Sequence, residues 1–197
     1  MLADLLLLWL AALPLMGSPG PATLSTAAVG ASFGPRRGLP YLAGIIAGTA
    51  GVLALIATGV TAAILTVPAL ATAVTLAAAA YILYLAWRIA TAPPLSRDNA
   101  EAKAPAFPGG FFLALANPKA FAAIGAVYAG HSVIEGDLAV DAAVKVAALT
   151  LVIVLVNTTW LVFGAMIAAL LHDPVKARIT NVAFAVLLVV SVALALI

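Results

Sequence analysis

Two short stretches, Gly17-Ser18-Pro19-Gly20-Pro21 and Asn117-Pro118-Lys119, combine residues that interrupt a helix with residues that hold ligands. Proline removes an amide donor and clashes with the preceding turn, so each stretch is expected to end one helix. Proline is also accepted at the first position of a helix, and Asn or Ser just before it is a good N-cap, so each stretch is expected to begin another. A helix started in this way turns free N–H groups and the positive end of its dipole toward whatever faces it, which suits a carboxylate. Lys119 adds an ammonium group. The chemistry is anion recognition, with no bond made or broken.

Other chemistries find less support. Cysteine is absent, which excludes thiolate metal sites, disulfides and cysteine nucleophiles. A serine nucleophile at Ser18 needs a histidine base within about 3 Å, and the two histidines, His131 and His172, fall at helix ends. No cofactor or metal is implied, and the chain reads as a non-enzyme. Asn157-Thr158-Thr159 puts three polar residues in succession into an apolar helix. Either they line a cavity, or the threonines bond their own helix carbonyls while Asn157 ties helices together. Gly44 and Gly48 read as a close-packing pair, Asn181 as a packing contact or cap, and Trp87 and Arg88 as interface anchors. Tyr81 or Tyr84 remains a minor candidate for facing a pathway.

The elements that must position these residues follow from composition. Of 197 residues, 65% are hydrophobic and 8% charged, and the mean hydropathy is +1.22. A soluble domain carries about 25% charged residues, so this chain belongs in a membrane. Apolar stretches at roughly 4–33, 40–63, 68–90, 109–131, 139–171 and 177–197 read as six crossings of a core about 30 Å thick, with no room for an appended soluble domain. No basic n-region precedes the first stretch, so it is expected to be a permanent part of the fold. A polar, proline-rich linker near 91–108 divides one transmembrane domain into halves at about 1–90 and about 109–197.

Arg36 and Arg37, then Arg88, Arg97 and Lys103, then Lys176 and Arg178 occupy three alternate connections, which places those connections in the cytoplasm and both termini outside. The net charge of +2 is too scattered for nucleic acid. Three crossings per half is an odd number, so halves sharing a fold must be inverted relative to each other, as in many transporters. The fold class expected is an all-α membrane protein of six helices in two inverted halves, with helices 1 and 4 broken. At 1.5 Å per residue, Asn117 lies about 12 Å in from the start of its helix, close to the bilayer centre. A charge at that depth costs about 2.5–3.5 kcal/mol on insertion scales, so Lys119 should face a cavity or a partner.

The motifs resemble those of the lysine exporter (LysE/RhtB) superfamily of bacterial amino-acid exporters. The likeness runs through Pro19-Gly20-Pro21, Arg36-Arg37-Gly38-Leu39, Ala43-Gly44, Tyr81-Ile82-Leu83-Tyr84-Leu85-Ala86-Trp87-Arg88, Phe111-Phe112-Leu113 and Asn117-Pro118-Lys119-Ala120, in order along nearly the whole chain. Each motif is weak alone and fairly specific in company. The resemblance implies export of amino acids or related small metabolites across the bacterial inner membrane, driven by membrane potential or proton gradient. Two departures stand out: Ala22 replaces the Asn or Asp usual after proline-glycine-proline, and Ile124-Gly125-Ala126-Val127 replaces an aromatic, proline-rich continuation.

The substrate-binding candidates are Ser18, Pro19, Gly20, Pro21, Asn117, Pro118, Lys119, Asn157 and Thr158. The expected partners are a small-molecule substrate, membrane lipid and, as an open possibility, further copies of the chain. Export of a cation or lipid-related product and a purely structural membrane subunit are the competing readings. The absence of acidic residues near the bilayer centre argues against a divalent cation, which wants several oxygen ligands. It also leaves Lys119 as the titratable group at depth on which any proton coupling would fall.

Overall fold

The computed structural model describes residues 1–59, 68–91, 104–170 and 174–196. The charged centre of the expected linker, including Arg97 and Lys103, lies outside the described residues, as does His172. Within them the chain is all helix: α1 (Leu2–Gly17), α2 (Pro21–Phe33), α3 (Pro35–Ala57), α4 (Pro68–Ala90), α5 (Phe107–Leu115), α6 (Pro118–Gly130), α7 (Leu138–Leu170) and α8 (Pro174–Leu196).

Both expected breaks are present. The α1 and α2 axes bend by 64° across Ser18-Pro19-Gly20, and α5 and α6 bend by 59° across Ala116-Asn117. Helix α3 starts earlier than the sequence implied, at Pro35 rather than near 40. Gly34 turns the chain through the left-handed region at φ 77°, Pro35 takes the first helical position, and Pro40 is carried inside the helix. Helices α3 and α7 are each long and apolar enough to cross a membrane, and the number of such spans is four if each bent pair is one. The stretches expected as the two other crossings fall in α4 and α8, where the apolar helix among the described residues, Ala79–Ala90 and Arg178–Val190, is shorter than a span.

Helix α2 is central, with all thirteen residues buried. It packs on α3, α7 and α8. A polar group in so dry a place must find a partner. Ser25 and Thr26 donate to the Ala22 carbonyl, Tyr41 donates to Ser25 at 2.9 Å, and Ser32 donates to Asn181 at 3.0 Å. The outer faces carry Leu7, Leu10, Leu151, Leu155 and Val186, which suit hydrocarbon rather than water.

Two helix crossings bring backbone against backbone. Gly44 and Gly48 of α3 lie on the α5 backbone at Phe107 and Phe111, and Gly110 of α5 lies on the α3 backbone at Tyr41. Gly30 of α2 meets the Leu161 carbonyl of α7, and Gly164 of α7 meets the Ala27 carbonyl of α2. Small residues at such crossings let helices approach closely enough for packing to hold them without a hydrophobic driving force.

The turn from α6 to α7 has its own clamp. The Asp141 carboxylate accepts from the Val133 and Ile134 amides at 2.7 and 2.9 Å and pairs with Lys145 at 2.9 Å. The Lys145 ammonium also donates to the Tyr128 and His131 carbonyls, each at 3.0 Å, and lies 4.1 Å from the centre of the Tyr128 ring.

Candidate functional site

At the first break, Ser18 closes α1: its N–H bonds the Pro14 carbonyl and its hydroxyl donates to Leu15. Its own backbone is extended, as the following proline requires. Gly20, not Ser18, is the N-cap of α2, and its N–H donates to Thr23 Oγ1 at 2.9 Å. Pro21, next in line, has no N–H. The Ala22 and Thr23 amides, at the second and third positions, have no partner within the helix.

The second break is closed differently. Asn117 Oδ1 accepts from the Lys119 amide at 3.2 Å, and the Asn117 carbonyl accepts from the Ala120 amide at 3.0 Å. With Pro118 lacking an N–H, the donors of the first turn of α6 are occupied. The sequence led us to expect free amides at both half-helix ends, but only α2 has them. Asn117 is the reason, because its side chain reaches back to satisfy its own helix.

The two breaks meet through Lys119. Its ammonium donates to the Ser18 carbonyl and lies 3.3 Å from the Pro19 carbonyl. Beside it the Gly17 carbonyl accepts from the Trp160 indole at 3.1 Å. The carbonyls that α1 would otherwise leave bare are thus covered by donors from α6 and α7, with the positive charge at the negative end of the helix dipole. Gly20 has extended backbone that any residue adopts, so its lack of a side chain answers to space. A Cβ there would fall 2.5 Å from Lys119 Cδ.

A cavity of about 40 Å³ opens at this point, lined by Met16, Gly20, Ala22, Thr23, Thr49, Asn117, Lys119, Ala120, Ala123, Ile124, Ile153, Val156 and Asn157. By the measure in which one water needs about 10–15 Å³, it has room for about three waters. Of the nine candidates, Gly20, Asn117, Lys119 and Asn157 line it, while Ser18 and Pro19 contribute carbonyls to Lys119. Pro21 is buried behind the wall and Pro118 is exposed at the start of α6. Thr158 is exposed and does not line the cavity. One residue further along a helix turns about 100° away, so of the two readings left open for Asn157-Thr158-Thr159 the cavity takes only Asn157, while Thr159 donates to its own helix at Leu155. Tyr81 and Tyr84 are also absent from the lining.

Sequence reasoning missed Thr23 and Thr49. Thr23 had a usable signal, since it stands three residues after Gly20 where a capping side chain belongs. Thr49 is a single hydroxyl bonded to its own helix at Ile45, and only the packing of α3 against its neighbours turns it inward.

The family model described as LysE type translocator matches residues 13–197. The chain belongs to the LysE type translocator family. The match takes in both breaks, the cavity and the two glycine crossings, so each feature described belongs to the family domain. The family is one of membrane transporters rather than enzymes. Among the curated proteins and among the solved structures, none matches this translocator.

Proposed function

We propose that this translocator exports amino acids or related small carboxylates from the cytoplasm across the inner membrane of a bacterium. Six crossings in two inverted three-helix halves would carry the transport, with both termini outside. Membrane potential or the proton gradient would drive it. The observation that supports the reading is the meeting of two broken helices at a cavity that offers free Ala22 and Thr23 amides beside the Lys119 ammonium. The lining contains no carboxylate, so a cation finds no counter-charge there, whereas an anion finds both charge and donors.

The cavity is far smaller than an amino acid, so a substrate must widen it to enter. In it the Lys119 ammonium rests on two neutral carbonyls. A carboxylate is the stronger acceptor, so an arriving substrate would take the ammonium from Ser18 and Pro19 and untie the breaks from each other. Opening is thereby coupled to binding. The backbone-to-backbone crossings of α3 on α5 and α2 on α7 oppose sliding of one half over the other, so movement falls to α1 and α6, whose mutual tie is the lysine.

Efflux from vesicles loaded with a panel of amino acids tests the reading, with native protein compared with Lys119→Ala. Efflux of at least one amino acid by the native chain, lost in the variant, is expected. Equal efflux by both would remove the site from the mechanism, and no efflux of any of them would remove the function.

A further inference from the structure

Asn157 is 5% exposed, and its side-chain N–H donates to the Ile153 carbonyl at 2.8 Å. A carbonyl can only accept, so this bond fixes which way the amide points. Among the described residues Asn157 Oδ1 is the buried side-chain polar atom left without a partner. An acceptor left unpaired in a dry interior forfeits its hydration with nothing in return, so it calls for a donor. Most other donors of the lining are spent elsewhere: the Thr49 hydroxyl on Ile45, the Thr23 hydroxyl on Gly20 and Ser18, and Lys119 on Ser18 and Pro19. Asn117 makes no bond to it.

The lining therefore carries two unlike kinds of group: an ammonium with free amides, and a bare acceptor, with Met16, Ile124, Ile153 and Val156 as apolar wall. We propose that Asn157 Oδ1 receives the ammonium group of a substrate whose carboxylate is held by Lys119 and the α2 amides, so that the site selects α-amino acids with uncharged side chains over carboxylates lacking the amine. The assignment rests on the export reading. A neutral acceptor suffices for one ammonium, because a zwitterion brings no net charge into the bundle, whereas a second positive charge on the side chain would find no carboxylate in the lining and a second negative one no further cation.

The test uses purified protein in vesicles loaded with L-leucine, L-alanine or 4-methylpentanoate, the last being the leucine skeleton without its amine, each corrected for leakage from protein-free vesicles. Native protein is expected to release one or both amino acids at least about tenfold faster than 4-methylpentanoate, the worth of one hydrogen bond to a charged group. Asn157→Ala should lose that preference, and Asn157→Asp, which gives up the N–H to Ile153 but keeps an acceptor of the same size with added negative charge, should retain it. A native protein that moves 4-methylpentanoate as fast as leucine overturns the assignment, as does an Asn157→Ala protein of unchanged melting temperature that keeps the native preference. If Asn157→Ala does not fold, the native preference and the Asp variant decide. No release of any solute by native protein overturns the export reading, and this assignment with it.

Discussion

The Lys119 ammonium donates to the Ser18 carbonyl across a separation of 101 residues, and through it the second broken helix holds the first. Pro118 places the lysine in the first turn of α6, and Pro19 and Pro21 leave the end of α1 with carbonyls that need donors. Each break supplies what the other lacks.

Replacing Lys119 with methionine keeps much of the side-chain length and removes the charge. Gradient-driven efflux should fall at least about tenfold, the loss of one charge-assisted contact, while the protein remains monodisperse in detergent. Lys119→Arg keeps the charge on a broader head and should retain part of the activity. Full efflux in the methionine variant would show that neither recognition nor coupling passes through this residue.

Gly20→Ala isolates space from charge. The extended backbone at Gly20 accepts alanine, and the group its Cβ would meet is the flexible stem of Lys119. Folding should therefore be nearly unchanged while the lysine is displaced from the cavity. The expected outcome is a native melting temperature with efflux reduced several-fold.

How much of this was legible in the residues depends on how local the cause is. The breaks were readable because proline and glycine act on their own backbone, and Asn117 is an N-cap whatever surrounds it. The inward turn of Thr49 was not, since a hydroxyl that can bond its own helix carbonyl has no intrinsic need to face a cavity. Thr158 was over-read for the same reason, and its exposed position depends on how α7 is rotated against its neighbours. The unequal ends of α2 and α6 depend on whether a side chain spends itself on its own helix, which Asn117 does and Gly20 cannot.

The glycine crossings should be intolerant of a single methyl. Gly30→Ala and Gly164→Ala each drive a Cβ into the opposing backbone at Leu161 or Ala27, and each should cost about 1–3 kcal/mol, a fall in melting temperature of several degrees. Gly125→Ala is the control. Its Cβ would meet nothing within 4 Å, and alanine is the better helix former, so stability should hold or rise by up to about 1 kcal/mol.

Asp141→Ala leaves the Lys145 ammonium and two loop amides without their carboxylate. The expected loss is on the order of 2 kcal/mol, at the low end for a broken buried pair because the cluster closes the end of a helix rather than its middle. Limited proteolysis should register it as new cleavage between His131 and Asp137. Asp141→Leu combined with Lys145→Met should be less destabilised than Asp141→Ala, since no lone charge is left behind.

The glycine crossings also set a schedule for biosynthesis. The groove on α3 is filled by residues near Phe107 and Phe111, and Gly30 of α2 waits for Leu161, so each early helix leaves the ribosome long before the surface that fits it. At about 5–20 residues per second, that wait lasts several seconds or more. During it the nascent first half holds its backbone grooves open to lipid or to a chaperone. The glycine crossings are complete only when α7 has been inserted, and a chain interrupted before then carries unfilled grooves.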